Sequence, residues 1–328
     1  MTLLVRDEAD VVDSHLAFHL NAGVDYVVAT DHRSQDGTTE ILDRYARDGR
    51  LHLIREEDVE YREVEWRTRM AQIVATEFGA DWVIHSDADE FWWPRGRDLK
   101  EVLAAIPAGY GLVRAFWRPF VLRPEGDPFF AERMTVRLSG PAAINDALSQ
   151  FRPNAKVIHR PDSRLIVRRG GHAVDGASLR PLRGWFPVEV LHFPLRSLEQ
   201  AQRKASIYRA SKDTRLHDAH RRLHGALEQG RLADLHRELV IDDATLDRGL
   251  ASGSLAVDTR LRDALRALAG AEGRGGLALP PVSAAEVAYA VDGSALAEAD
   301  AVRLQRRLDE LRARVNRLEH GGSAPFAP

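Results

Sequence analysis

The first 90 residues alternate between two hydrophobic periods, and that alternation leaves few folds open. Leu3, Leu4 and Val5 form a short apolar run. Val11, Val12, Leu16 and Leu20 then recur at helical spacing, and Gly23 stands where such a helix ends. Residues 24–30 are apolar and β-branched, as a buried strand is. Gly37 and Thr38 open a second helix carrying Ile41, Leu42 and Tyr45, and Gly49 closes it. Residues 51–54 read as a third strand. Met70, Ile73, Val74 and Phe78 lie on a further helix ended by Gly79, and residues 82–84 read as a fourth strand. Strand and helix alternating through short connections predict a parallel sheet with helices on both faces. Ligands of such sheets bind at the carboxyl ends of the strands.

Three of those ends are polar. The first strand runs into Arg6-Asp7-Glu8, the second into residues 31–38 (Asp-His-Arg-Ser-Gln-Asp-Gly-Thr), and the fourth into His85-Ser86-Asp87-Ala88-Asp89-Glu90. A parallel sheet brings all three to one edge. Two carboxylates spaced as Asp87 and Asp89 in a turn can face the same way. Close hard oxygen anions hold a divalent cation and otherwise repel each other. Such a cation bridges a diphosphate and neutralises charge on a leaving group. Asp36, just before Gly37, suits support of its own turn.

Charge is uneven along the chain. Residues 1–100 hold 22 acidic against 12 basic residues, and residues 101–200 hold 9 against 14. That pattern suits a cleft where carboxylates hold a metal and arginines face an anion. It does not suit nucleic acid, which calls for one basic face. The chain has no cysteine, so disulfides, thiolate metal sites and cysteine nucleophiles are excluded. No apolar run approaches the roughly 18–20 residues that span a bilayer. Acidic residues at once after the start argue against a signal peptide, and a cytoplasmic protein is the expectation.

Past residue 110 the pattern changes. Strand-like runs at 111–117, 134–138, 156–159, 165–167 and 188–191 are separated by Pro and Gly, which predicts a mixed or antiparallel extension of the sheet. Helical patterns follow from Ser197, where Ser197 and Gln200 form a candidate capping box, to about residue 269. The organisation expected is a catalytic domain over 1–200, a helical extension over 201–269, a Gly/Ala/Pro-rich linker over 270–297, and a final amphipathic segment over 298–320. In that segment Leu304, Leu308, Leu311, Val315 and Leu318 fit two heptads, so it is either one helix packed on the domain or a short coiled coil that pairs copies of the chain.

Several segments together resemble family-2 glycosyltransferases. Residues 31–38 are similar to their D-D/N-x-S-x-D-G-T loop, and Asp87-Ala88-Asp89-Glu90-Phe91 to the D-x-D-E-F motif of one branch. The opening (residues 5–10), residues 156–161, His172, and residues 192–197 with Lys204 are also similar to that branch. The resemblance covers residues 1 to about 205. It implies a GT-A fold, a Rossmann-like mixed sheet flanked by helices. It further implies a sugar carried by a nucleotide diphosphate, UDP first, and transferred to an unknown hydroxyl acceptor with Mn²⁺ or Mg²⁺. Carried over, Arg6, Glu8, Asp31, Asp87, Lys156, Arg196 and Lys204 contact the donor. Asp87, Asp89 and His192 hold the metal, and His172 is an alternative ligand or a diphosphate contact. The Glu-Asp pair that many relatives carry after the D-x-D motif is missing: the only such dipeptide is Glu57-Asp58, before it. Asp175 is therefore the first candidate for the acceptor base, with Asp146 second and His172 as its neighbour in the site. Trp92 and Trp93 either stack on sugar or pack in the core. Two alternatives stay open: a sugar-phosphate nucleotidyltransferase, weakened by the lack of glycine in residues 1–20, and a non-catalytic nucleotide-binding scaffold assembled through residues 298–319.

Overall fold

The computed structural model describes residues 1–126, 129–139, 155–176, 179–183, 185–209 and 218–270, with 310–311 and 314–315 near the end. Asp146, the 270–297 linker and nearly all of the final amphipathic segment lie outside the described residues.

The expected alternation forms. β1 (Thr2–Val5), β2 (Val27–His32), β3 (Leu51–Glu56) and β4 (Val83–Ser86) are joined by α1 (Val12–Asn21), α2 (Thr38–Arg47) and α3 (Glu63–Glu77). β5 (Glu90–Pro94), α4 (Leu99–Ala104) and β6 (Leu112–Pro119) follow, then α5 (Phe130–Arg133), β7 (Val136–Leu138), β8 (Ala155–His159), β9 (Ile166–Val167), β10 (Val174–Asp175) and β11 (Val188–His192). One sheet of eight strands takes the order β3-β2-β1-β4-β8-β6-β11-β5. The first four are parallel. β8 runs antiparallel to both β4 and β6, and β11 runs parallel to β6 but antiparallel to β5. The carboxyl ends of β1, β2, β4, β6 and β11 therefore meet at one edge, together with the start of β8.

The central strands are buried on both faces, which is why they read as continuous apolar runs. Their side chains still alternate. Leu3 and Val27 pack with α1, whereas Leu4, Val28 and Val83 pack with Trp66, Met70 and Val74 of α3. β5 is an element that the residue pattern hides. Trp92 and Trp93 lie in it, fully buried, so the core explanation holds for both. Trp92 Nε1 donates to Ser86 Oγ at 2.9 Å.

Beyond Ser197 come α6 (Leu198–Arg209), α7 (Asp218–Glu228), α8 (Leu232–Leu239), α9 (Asp243–Ser252), β12 (Leu255–Val257) and α10 (Arg260–Gly270). The helical region closes back on the sheet: β12 pairs antiparallel with β7, and Leu261 and Ala264 of α10 join the main core. Among the described residues no helix is long and apolar enough to cross a membrane.

Candidate active site

The β1–α1 and β2–α2 loops are laced together. Asp7 N–H donates to Ser34 Oγ (3.1 Å), Glu8 N–H to Thr38 Oγ1 (2.9 Å), and Gln35 N–H to Asp7 Oδ1 (2.7 Å). Asp7 and Arg33 are the non-glycine residues with positive φ among those described, at +54° and +57°. Such backbone is costly and persists only where surroundings over-determine it. Asp36 accepts from Ala9 N–H (3.0 Å), Thr38 Oγ1 (2.6 Å) and Arg203 Nη1 (2.6 Å), so it supports its loop as expected and also ties it to α6. Asp31 is buried, and its oxygens accept from Ser34 Oγ and Thr39 Oγ1, both at 2.5 Å. Its place is inside the loop, with Arg6 on the adjacent strand end.

Asp87 and Asp89 sit at the end of β4 in different company. Arg67 of α3 bonds one oxygen of Asp87, and Lys156 Nζ of β8 bonds the other at 2.8 Å. Lys156 also lies 2.8 Å from Glu90 Oε2 and has no exposed surface. The amine is engaged by two carboxylates, Glu90 fully buried and Asp87 part-exposed. Burial pushes Asp87 up, but Arg67 and Lys156 outweigh it and hold the carboxyl far below the usual carboxylate range. Glu90 lies deeper, and burial raises it to about 8 against the pull of Lys156.

Asp89 belongs to a second cluster. Lys204 Nζ donates to Asp89 Oδ2 at 2.9 Å, His192 Nε2 lies 3.7 Å from Oδ1, and Arg196 Nη1 lies 3.9 Å from Oδ2. Burial opposes ionisation, but Lys204, His192 and Arg196 bring Asp89 down to about 2. Arg196 is itself buried, bridging Glu8 and both oxygens of Asp10 (2.7 and 3.0 Å). Burial lifts Glu8 to about 7 although Arg196 pulls it down. Ser197 caps α6 as expected, accepting from Gln200 N–H at 3.1 Å; the return bond runs from Arg196 N–H to Gln200 Oε1 at 3.4 Å.

Trp117 is a site residue that sequence reasoning missed. Its ring stacks on His192 (4.1 Å between centroids) and meets His172 edge-on (5.0 Å), while Nε1 donates to Glu90 Oε1 at 3.0 Å. Its position at the end of a strand leading to the same edge was the available signal. Burial lowers His192 to about 4 and His172 to about 3, so both are neutral at pH 7. His172 Nδ1 is hydrogen-bonded to Ala155 O at 2.9 Å. Asp175 stands apart from the acidic pair. It lies half exposed on the β9–β10 ribbon, ion-paired with Arg168.

For a divalent cation the donor chemistry divides. Each oxygen of Asp87 already accepts one bond, from Arg67 and from Lys156. Asp89 and His192 offer one carboxylate oxygen and one neutral imidazole nitrogen side by side, and His192 Nδ1 is buried without a hydrogen bond. No group of three or more such ligands is gathered among the described residues. The pair Asp89–His192 thus fits a metal that takes its remaining ligands from elsewhere.

Residues 5–166 match the family model described as glycosyltransferase family 92. The match covers nearly half of the chain. The matched segment holds all three polar strand ends and Lys156, and stops before His172, His192, Arg196 and Lys204. The resemblance read from the motifs was to family 2; the matching family is 92. The comparison with curated proteins found no match. Among solved structures, residues 1–349 of TarS from S. aureus in complex with UDP align over 76% of this chain and 71% of that chain, at 13% identity and a TM-score of 0.34. Another TarS structure aligns over 70% of this chain and 42% of its own, with a TM-score of 0.32 at 15% identity. Glucosyl-3-phosphoglycerate synthase from Mycobacterium tuberculosis, in complex with Mn²⁺, UDP and glucosyl-3-phosphoglycerate, aligns over 36% of this chain and 43% of that chain, at 21% identity and a TM-score of 0.26.

Proposed function

We propose that this chain is a glycosyltransferase of GT-A type that moves a sugar from a nucleotide diphosphate, UDP first, to a hydroxyl acceptor. The observation that carries the reading is the meeting of Asp89, His192, Lys204 and Arg196 at the carboxyl edge of an α/β sheet whose first half matches a glycosyltransferase family. A divalent metal, Mn²⁺ or Mg²⁺, would be held by Asp89 and His192 and would neutralise charge on the departing diphosphate.

The chain's own residues do the rest. Arg6, Glu8 and the Asp31 loop receive the nucleoside. Lys204 and Arg196 add fixed positive charge where the diphosphate departs, in a site already shielded from water. Arg67 and Lys156 hold the Asp87 end of the turn rigid, so Asp89 is presented in one position. Trp117 and the neutral His172 pack around His192 and fix its ring. The acceptor oxygen forms a bond to the anomeric carbon as the bond from that carbon to the diphosphate breaks. The proton goes to a carboxylate base, for which Asp175, ion-paired with Arg168 on the β9–β10 ribbon, is the candidate carried over from the sequence.

The test is donor hydrolysis. The full chain is incubated with UDP-glucose, UDP-N-acetylglucosamine and GDP-mannose, each with Mn²⁺, and released nucleoside diphosphate is measured. Release from one donor, lost in Asp89→Asn, is expected. Binding of nucleotide without release from any donor turns the reading to a non-catalytic nucleotide-binding scaffold.

A further inference from the structure

Most cations at the carboxyl edge are spoken for. Arg67 and Lys156 face Asp87, Lys204 faces Asp89, Arg196 faces Glu8 and Asp10, and Arg203 faces Asp36. Arg133, the last residue of α5, has no carboxylate among the described residues. Its Nη2 donates to Arg196 O at 2.5 Å, while Nε and Nη1 are shut off from solvent with no hydrogen-bond partner. Gln200 sits on the other side of the same residue, accepting from Arg196 N–H at 3.4 Å. Gln200 is 2% exposed, and its Nε2 also lacks a partner. Shielded donors left unmade are costly, and an unpartnered guanidinium N–H bonds a carboxylate or phosphate oxygen.

We infer that Arg133, with Gln200 beside it, forms a subsite for an anionic group, phosphate or carboxylate, carried by the acceptor. This rests on the glycosyltransferase reading and names the acceptor's chemical class. Arg133 touches the backbone of Arg196 and not the Asp89, His192 and Lys204 side chains. The charged groups that act on Arg133 are Glu125, Arg196 and Asp10, whereas Asp89, His192 and Lys204 form their own cluster. Glu125 is the acid on the helical side. It accepts from Leu198 N–H at 2.5 Å and lies 3.3 Å from His236 Nε2. It leaves the spare nitrogens of Arg133 unbonded. An acceptor anion docked there stands next to Arg196, and so next to the transfer site.

The probe is inorganic phosphate, titrated into the full chain by calorimetry with UDP held at saturation. Wild type is expected to take up phosphate over bound UDP. Arg133→Gln should weaken phosphate at least tenfold and leave the UDP Kd within twofold, and Arg133→Lys should restore part of the phosphate affinity. A melting temperature unchanged in Arg133→Gln shows that the fold is intact. Phosphate binding equal in wild type and Arg133→Gln overturns the subsite, as does no phosphate binding in wild type. A tenfold loss of UDP affinity in Arg133→Gln also overturns it, since the anion is then the donor's diphosphate. If UDP fails to bind wild type at all, the glycosyltransferase reading falls, and the phosphate titration repeated without UDP still reads Arg133 separately.

Discussion

Replacing Lys156 with Met keeps the length of a fully buried side chain and removes its charge from between two carboxylates, each 2.8 Å away. Asp87 then keeps Arg67, whereas Glu90 keeps only the Trp117 indole N–H and the Asp87 N–H, both at 3.0 Å. Deleting one partner of a buried ion pair costs about 3–5 kcal/mol, because the other charge is stranded. Glu90 already has its pKa raised to about 8. Wild-type Glu90 is ionised at pH 9 and protonated at pH 6; without the pull of Lys156 it rises further and takes up a proton at pH 9, so the pH 9 loss exceeds the pH 6 loss of about 2 kcal/mol, that of one charge-assisted bond to Asp87, by about 1–2 kcal/mol. In melting temperature the pH 9 loss is roughly 6–15 °C. The assay is thermal unfolding of wild type, Lys156→Met and Lys156→Met/Glu90→Gln at both pH values. The double variant should recover the excess loss at pH 9, since Arg67 and Asp87 then balance. An equal drop at both pH values, or no rescue by Glu90→Gln, refutes the reasoning.

Stability should peak between the two sets of shifted groups. Asp89, held down at about 2, and His15, His172 and His192, lowered by burial to about 4, 3 and 4, favour the native state above their unfolded values and lose that contribution as pH falls through the folded ones. Glu8 and Glu90, raised to about 7 and 8, contribute below their unfolded value and lose it as pH rises through those figures. A melting temperature still climbing from pH 7 to 9 contradicts this. Arg196→Lys should destabilise by about 2–4 kcal/mol, because an ammonium cannot span Glu8 and Asp10 as the guanidinium does; chemical denaturation reads it, and a change under 0.5 kcal/mol speaks against the bridge. Asp175→Asn should lower turnover about a hundredfold or more with the UDP Kd unchanged, and full activity in that variant removes Asp175 as the base.

The sheet was legible because its period was. Strands β1 to β4 and helices α1 to α3 show in the spacing of apolar residues, and the carboxyl-end rule located the site. β5 escaped because Trp92 and Trp93 follow the acidic turn directly, and two adjacent aromatics carry no period. The partners of the acidic pair were legible only in part. Lys204 and His192 stand beside Asp89, but the lock on Asp87 comes from Arg67, a helix residue with no motif. Its signal was an arginine on the same helical stripe as Met70 and Val74, four residues after Glu63, which its Nε bonds at 2.9 Å. A charge at a core position needs a buried counter-charge, and the sequence alone does not say that it is Asp87, twenty residues on. Arg133 and Trp117 were silent for a similar reason: each matters through a neighbour that only the folded sheet supplies.

The most direct test of the central claim is calorimetric titration of UDP into the full chain with Mn²⁺ and with EDTA, on wild type and Asp89→Asn. The account predicts binding that Mn²⁺ strengthens at least tenfold in wild type, with the strengthening lost in Asp89→Asn. No binding of UDP, or of GDP, CDP or dTDP tested alongside, at millimolar ligand contradicts it.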